Sequence, residues 1–326
     1  MNSQYLTRFA ELFEQRGRRV EVFDNKFWMN NGKMIVHIGP IQLDYSLTED
    51  QAHKLLKKFP GGLLVRFTEG FDIPNNSEEW YAVICDNFKD LGDIRHESRR
   101  AIKRGLENCD VRQVDADFIS KCGYEVYASA FSRYQDVIKP LDKNEFTRTI
   151  NTTIPFDDIY HYWAVFHKKK FIAYSAVAIY GDDEAEISAV KSIPEYHKLY
   201  PSNVLFYTMN KHYLANNSMK YVNAGYRNIF HKTQIQEFLI KRLSFKKSFM
   251  NVGIIYNSKY KYFVKVTYPF QRMLSRYSHK LKAIFLLEDI RRQCTPGVTG
   301  GYCKIIQKYT HYKKMLPSLL WPLGGK

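Results

Sequence analysis

At 326 residues the chain exceeds the ~250 to 300 residues at which single hydrophobic cores stop growing, so two domains are expected. A hydrophobic content of 45% suits packed cores, no run of 18 apolar residues is present, and the opening MNSQYLTRFAELFEQRGRR has no apolar signal stretch, so a cytoplasmic rather than a transmembrane or exported protein is expected. The net charge of +16 is unevenly spread: residues 259–326 carry 14 Lys or Arg against only Glu288 and Asp289.

In chain order, NSQYLTRFAELFEQRG reads as a helix and RRVEVFD as a strand, and two further strands flank the Asn30-Asn31-Gly32 turn. TEDQAHKLLKKF begins with Thr48 as a helix cap and an acidic first turn. GGLLVRFTEG and EEWYAVICDN supply two more strands. These elements make a first domain over residues 1–90.

The segment from Leu91 to Asp115 holds a basic helix. Ile94, Ser98, Ala101, Ile102 and Leu106 form its apolar stripe, Gly105 ends it, and CDVRQV follows as a strand. Arg99, Arg100, Lys103 and Arg104 either hold a phosphate-bearing substrate, for which guanidinium forks are suited, or face water. ADFISKCGYEVYASAFSRYQ and NEFTRTINTTI are helices, and residues 159–190 read as three antiparallel strands. In the third, Glu184, Glu186 and Ser188 share one face, and Ala185, Ile187 and Ala189 the other.

From Glu184 to Tyr256 the pattern runs strand, helix, strand, helix, strand. EAEISAVKS is followed by a helix over Pro201 to Leu214, whose Val204, Leu205, Thr208, Met209 and His212 keep the 3.6-residue period. KYVNAGY is the next strand, HKTQIQEFLIKRL a helix with Ile235, Phe238, Leu239 and Arg242 along one stripe, and KKSFMNVGIIY, from Lys246 to Tyr256, the last strand. Two helix crossovers in succession imply parallel or mixed pairing.

This order, together with YPSNVLFYTM and the later NIFHKTQIQEFLIKRLSFKKSF, resembles the FemAB-like branch of the GNAT acyltransferase superfamily. The resemblance covers mainly the second half, and its most specific piece runs from Thr233 through Gln236, Phe238 and Lys241 to Phe245. It implies an α/β (α+β) fold with a GNAT-like mixed sheet flanked by helices, in two tandem GNAT-like domains. A degenerate one spans 1–90, a catalytic one 91–257, and a basic helical extension 258–326. Where GNAT enzymes carry a glycine-rich loop, residues 192–203 contain no glycine, so only a helix N-terminus, with roughly half a positive charge, remains to hold a pyrophosphate.

Two donors stay open: acyl-CoA as co-substrate, with no metal, or aminoacyl-tRNA. The acceptor is an amine on an amino sugar, amino acid or peptide-like molecule. A third reading is a binding protein whose chemistry has lapsed. For catalysis, Glu186 is the expected base and Tyr226 the expected acid. Ser188, Ala189, Val190, Ser202, Asn203, Val204 and Asn223 are the expected donor-binding residues, the slot lying between strands that part near Val190 and Gly225. Arg99, Arg100, Arg227, His231, Lys232 and Gln236 are the expected substrate contacts. The basic, aromatic extension reads as a surface for tRNA, as one for an anionic membrane, or as a solvated helical appendage. The five scattered cysteines fit reduced thiols.

Overall fold

Successive strand residues point to opposite faces of a sheet, and the two sheets of this protein turn apolar faces toward one another. The computed structural model describes residues 4–74, 80–131, 140–227 and 234–293. Its first part contains α1 (Gln4–Gln15), β1 (Val20–Phe23), β2 (Lys26–Asn31), β3 (Met34–Ile38), α2 (Glu49–Lys58) and β4 (Leu64–Glu69). Thr48 caps α2 as the sequence predicts, and Gln51 completes a capping box with it. The chain continues with β5 (Tyr81–Cys85), α3 (His96–Asn108), β6 (Asp110–Val114), α4 (Ala116–Phe131), α5 (Lys143–Asn151), β7 (Tyr160–His167), β8 (Lys170–Tyr180) and β9 (Glu184–Ser192). Then come α6 (Pro201–Asn210), β10 (Tyr221–Tyr226), α7 (Gln234–Arg242), β11 (Lys246–Phe249) and β12 (Asn251–Tyr256). Helices α8 (Ser258–Thr267), α9 (Gln271–Tyr277) and α10 (His279–Gln293) complete the described chain.

A five-stranded sheet has the order β1-β2-β3-β4-β12, and a seven-stranded sheet the order β11-β5-β10-β9-β8-β7-β6. The fold is mixed α/β, two sheets flanked by helices. Two strands, one from each side of residue 90, lie in the sheet formed mainly by the other side. β5, placed in the first domain by its position, lies in the seven-stranded sheet, between β10 and the edge strand β11. The stretch 246–256, expected as one strand, breaks at Met250, and its second half pairs with β4 in the other sheet, Ile254 opposite Arg66. The break lets apolar residues of both sheets share one core: Ala82 and Ile84 of β5 pack with Leu64, Val252 and Ile254. That contact joins the two sheets.

Gly105, expected to end its helix, instead lies inside α3. A Cβ there would stand 2.9 Å from the Cβ of Val204, so its absence is what lets α3 lie close on α6. Ile102 is buried beside it, while Leu106, expected in the stripe, is exposed. The basic extension packs its Val264 and Ile290 on the five-stranded sheet. Its outer face leaves Tyr262, Val266, Phe270, Met273 and Tyr277 exposed. Among the described residues no helix is long and apolar enough to cross a membrane.

Candidate active site

Among the described strands of the seven-stranded sheet only β9 and β10 run parallel, and they pair over three residues: Glu184 with Tyr221, Ala185 with Val222 and Glu186 with Asn223. Beyond that the strands part, although β9 continues to Ser192 and β10 to Tyr226. Each strand carries an irregularity at that point. Against β8, Ala189 faces Ala176 and Ile187 faces Val177, leaving Ser188 as the extra residue of a bulge. Against β5, Asn223 faces Ile84 and Tyr226 faces Ala82, so β10 fits two residues, Ala224 and Gly225, where β5 has one. A bulge bends its strand and adds local twist, so two of them on neighbouring strands drive the ends apart. Gly225 has φ +85, and among the described residues nothing lies within 4 Å of where its Cβ would stand, so they leave the mouth of the gap open there.

The bulge corrects the expected faces of β9. Ala189 packs with Ile119 and Val126 of α4, whereas Ile187 and Val190 pack toward α6. Ser188 is exposed. Past Glu186 no described strand pairs with β9 on the β10 side, so the backbone of Ser188, Ala189 and Val190 has an open edge there.

The helix expected to face a pyrophosphate begins at Pro201. Tyr200, just before it, has φ +58, the left-handed turn for which glycine is usual, and no side chain caps the helix. Pro201 lacks an N–H, and Val204 N–H is taken by the Tyr200 carbonyl at 3.2 Å. The backbone N–H groups of Ser202 and Asn203 lie in the first turn, where the helix itself provides no acceptor. Val204 is therefore a packing residue, its side chain set against Gly105.

Several other expected contacts are committed inside the protein. Asn223, 1% exposed, donates from Nδ2 to Glu184 and accepts the Gly225 N–H at 2.8 Å. Gln236 Nε2 donates to the carbonyls of Ala224, Gly225 and Tyr226 at 3.3, 3.2 and 3.0 Å. These bonds satisfy the strand end of β10 without a neighbouring strand, which is what keeps it turned away from β9. Arg99 caps the carbonyls of Gly92 and Ile94 at 2.7 and 3.0 Å, and Arg100 is exposed on the outer side of α3. Arg227 donates its backbone N–H to the Tyr81 carbonyl at 2.7 Å. His231 and Lys232 lie outside the described residues.

Beside the gap, the two sheets enclose a polar cluster that the sequence did not reveal. Glu184 is fully buried, and its carboxyl accepts from the Ile41 N–H and from Asn223, both at 2.8 Å. Burial and the neighbouring Glu186 push its pKa up to about 8. Glu186, also raised by burial, is half-buried and accepts a hydrogen bond from the Tyr180 hydroxyl at 3.2 Å. Tyr226 extends from the parted end of β10. Its hydroxyl lies 3.4 Å from Nε2 of His37, whose pKa burial pulls down to about 3. The His37 ring stacks on Tyr45 at 3.6 Å, and Thr68 reaches the same ring nitrogen at 3.3 Å. Burial holds the Tyr226 hydroxyl well above the usual phenol range, so it keeps its proton at neutral pH.

Glu184 had one signal in the sequence, a second acid two residues from Glu186 in an otherwise apolar strand. His37 and Thr68, on β3 and β4 of the other sheet, Tyr45, in the loop after β3, and Trp80, just before β5, had none, since they lie more than a hundred residues away along the chain. Away from this cluster, a groove of about 360 Å³ lined by Tyr5, Arg8, Asp158 and Asp182 lies at the opposite end of β9, past the Gly181 turn. It has no part in the parted strands. The buried Cys85 thiol is pushed up to about 11 by burial, which keeps it protonated and makes it a poor nucleophile.

Two parallel strands that are joined by a crossover helix and part over bulges make up the site of this mixed α/β fold. The crystal structure of FemX is similar over 74% of this chain and 89% of its own, with a TM-score of 0.51 and 11% identity, which is a likeness of fold. A conserved protein of unknown function from Bacteroides thetaiotaomicron matches over 74% and 88% at 10% identity with a TM-score of 0.45. A tandem GNAT protein from the clavulanic acid biosynthesis pathway matches over 71% and 78% at 9% identity with a TM-score of 0.43. No family model and no curated protein matches the sequence.

Proposed function

We propose that the protein is an N-acyltransferase that moves an acyl group from a CoA thioester to an amine. The observation that carries this reading is the gap between β9 and β10, where one edge of β9 lacks a strand and can pair with an amide-bearing donor arm. The donor carbonyl would then lie near Tyr226, and the acceptor amine would enter from the side of Glu186. Glu186 takes the proton that the amine loses on attacking the carbonyl carbon, as the C–N bond forms and the C–S bond breaks. Tyr226 protonates the departing thiolate. Glu184, locked by Ile41 and Asn223, contacts no substrate and leaves Glu186 as the more easily ionised member of the pair.

A second reading, aminoacyl-tRNA as donor, is favoured by the glycine-free turn at Tyr200, which offers fewer approachable backbone N–H groups than a glycine-rich loop. The two are separated by thermal shift and calorimetry with acetyl-CoA and longer acyl-CoA thioesters, beside aminoacyl-tRNA at low salt. A rise in melting temperature with the thioesters, and acylated amine detected by mass spectrometry that is lost in Glu186→Gln, support the first. A melting temperature unmoved by any thioester removes it.

A further inference from the structure

We propose that Arg66 binds a carboxylate carried by the acceptor, so that the amine substrate is an acidic one of the amino acid or peptide class. This deepens the acyltransferase reading and rests on it for the word acceptor, though the binding test below does not.

Arg66 lies on β4 opposite Val36 and Ile254, on the strand face that Leu64 and Thr68 also share. Leu64 joins the core that bridges the two sheets. The Arg66 guanidinium carbon is 5.3 Å from the centroid of the Trp80 ring and 6.0 Å from that of Tyr226. It is half-buried, yet among the described residues it has no carboxylate, carbonyl or hydroxyl partner. Several other half-buried arginines are served differently. Arg8 binds Asp158, Arg16 the Thr152 hydroxyl, Arg18 the Asn30 carbonyl, Arg99 two carbonyls and Arg291 Glu288. Trp80, 2% exposed, is likewise a donor whose indole N–H has no acceptor.

Packing beside two aromatic rings removes part of the Arg66 guanidinium's hydration, and the ring faces offset part of that loss without accepting its N–H donors, which stay open to solvent. What this arrangement lacks is an anionic acceptor. A carboxylate matches the planar fork in bidentate fashion and its single charge matches one guanidinium. A phosphate dianion would need a second cation, and the nearby His37 stays neutral, its ring already engaged by Thr68 and Tyr226. Arg66 and Glu186 both lie near Tyr226, so a molecule bearing both a carboxylate and an amine can present one to each.

The test uses the full chain with two small probes, benzoate and benzamide, and then L-amino acids beside the corresponding amino acid amides. Benzoate is expected to raise the melting temperature and benzamide to leave it unchanged. Amino acids should bind at least about tenfold more tightly than their amides, as a bidentate charged pair warrants. Arg66→Met, which keeps the stem against Trp80, should abolish both preferences and leave the ligand-free protein as stable as the wild type or more so. Equal binding of benzoate and benzamide by the wild type overturns the proposal. So does a marked fall in the melting temperature of ligand-free Arg66→Met, which would make the cation a packing element. Acyl-CoA binding is measured separately: its absence removes the acyltransferase reading while the carboxylate preference still stands or falls by itself.

Discussion

The side-chain amide of Asn223 donates to the carboxyl of Glu184 at 2.8 Å, a bond across the parallel strands β9 and β10 within their last paired stretch. One step further the same Asn223 side chain takes the Gly225 N–H, at the point where β10 parts from β9. A single residue thus clasps the strands and begins their parting.

That clasp carries a pH dependence. The Glu184 carboxyl moves from an ordinary 4.5 up to about 8 on folding, so between those values the folded chain binds more protons than the unfolded one. Unfolding free energy therefore falls as pH rises through this window and is fully penalised above about 8. Denaturant melts from pH 5 to pH 9 should show the decline, and Glu184→Gln should flatten most of it. A wild-type profile that rises over this range would contradict the buried dyad.

Activity should run the other way with pH. Glu186 works as a base only when ionised, and burial raises its pKa above the ordinary carboxylate value. The acidic limb of kcat/KM should accordingly lie above the usual carboxylate range. Glu186→Gln should lower kcat by ~10²- to 10⁴-fold, the usual worth of a positioned base, with acyl-CoA affinity retained. Tyr226→Phe should lower kcat and keep the Kd of the donor.

Gln236 distinguishes a structural clamp from a substrate contact. Gln236→Ala strands three strand-end carbonyls and should cost about 1–3 kcal/mol. Gln236→Glu places a carboxylate against those same oxygens and should cost more, increasingly so as pH rises. Calorimetric or denaturant melts of the two variants check the order; a Gln236→Glu protein as stable as wild type would mean the amide does not hold β10.

Gly225→Ala forces a side chain into a left-handed conformation, at about 1–2 kcal/mol, and places a methyl in the open mouth of the gap. Stability should fall by that amount, and the Kd for acyl-CoA should rise beyond what the loss of stability explains.

Gly105→Val tests the floor under the helix that faces the donor. Its added carbons meet Val204 and the Tyr200 carbonyl, so overpacking of about 1–3 kcal/mol is expected, with α6 displaced. A melting temperature equal to wild type would show that α3 and α6 have room to spare.

Much of the fold was legible locally. Apolar runs separated by turn residues at 167–170 and 181–183 set β7, β8 and β9, a Thr48 cap and an acidic first turn set α2, and the helical stripe with Pro201 set α6, because these signals act within a few residues. Glu186 and Tyr226 could be singled out because they end up beside strand ends whose order the sequence implies. The bulges were not legible: an extra residue such as Ser188 shows only when the strand opposite it is known. Nor was the exchange of β5 and β12 between sheets, since apolar strands of similar composition fit either sheet, and the packing of Ala82 and Ile84 against Val252 and Ile254 decided it. Sequence alone thus determined a basic, mixed α/β chain with a crossover helix between parallel strands. The tertiary structure decided that these strands part, that Glu184 stands behind Glu186, and that Arg66 waits beside Tyr226, because burial and pairing over more than a hundred residues are properties of the folded chain alone.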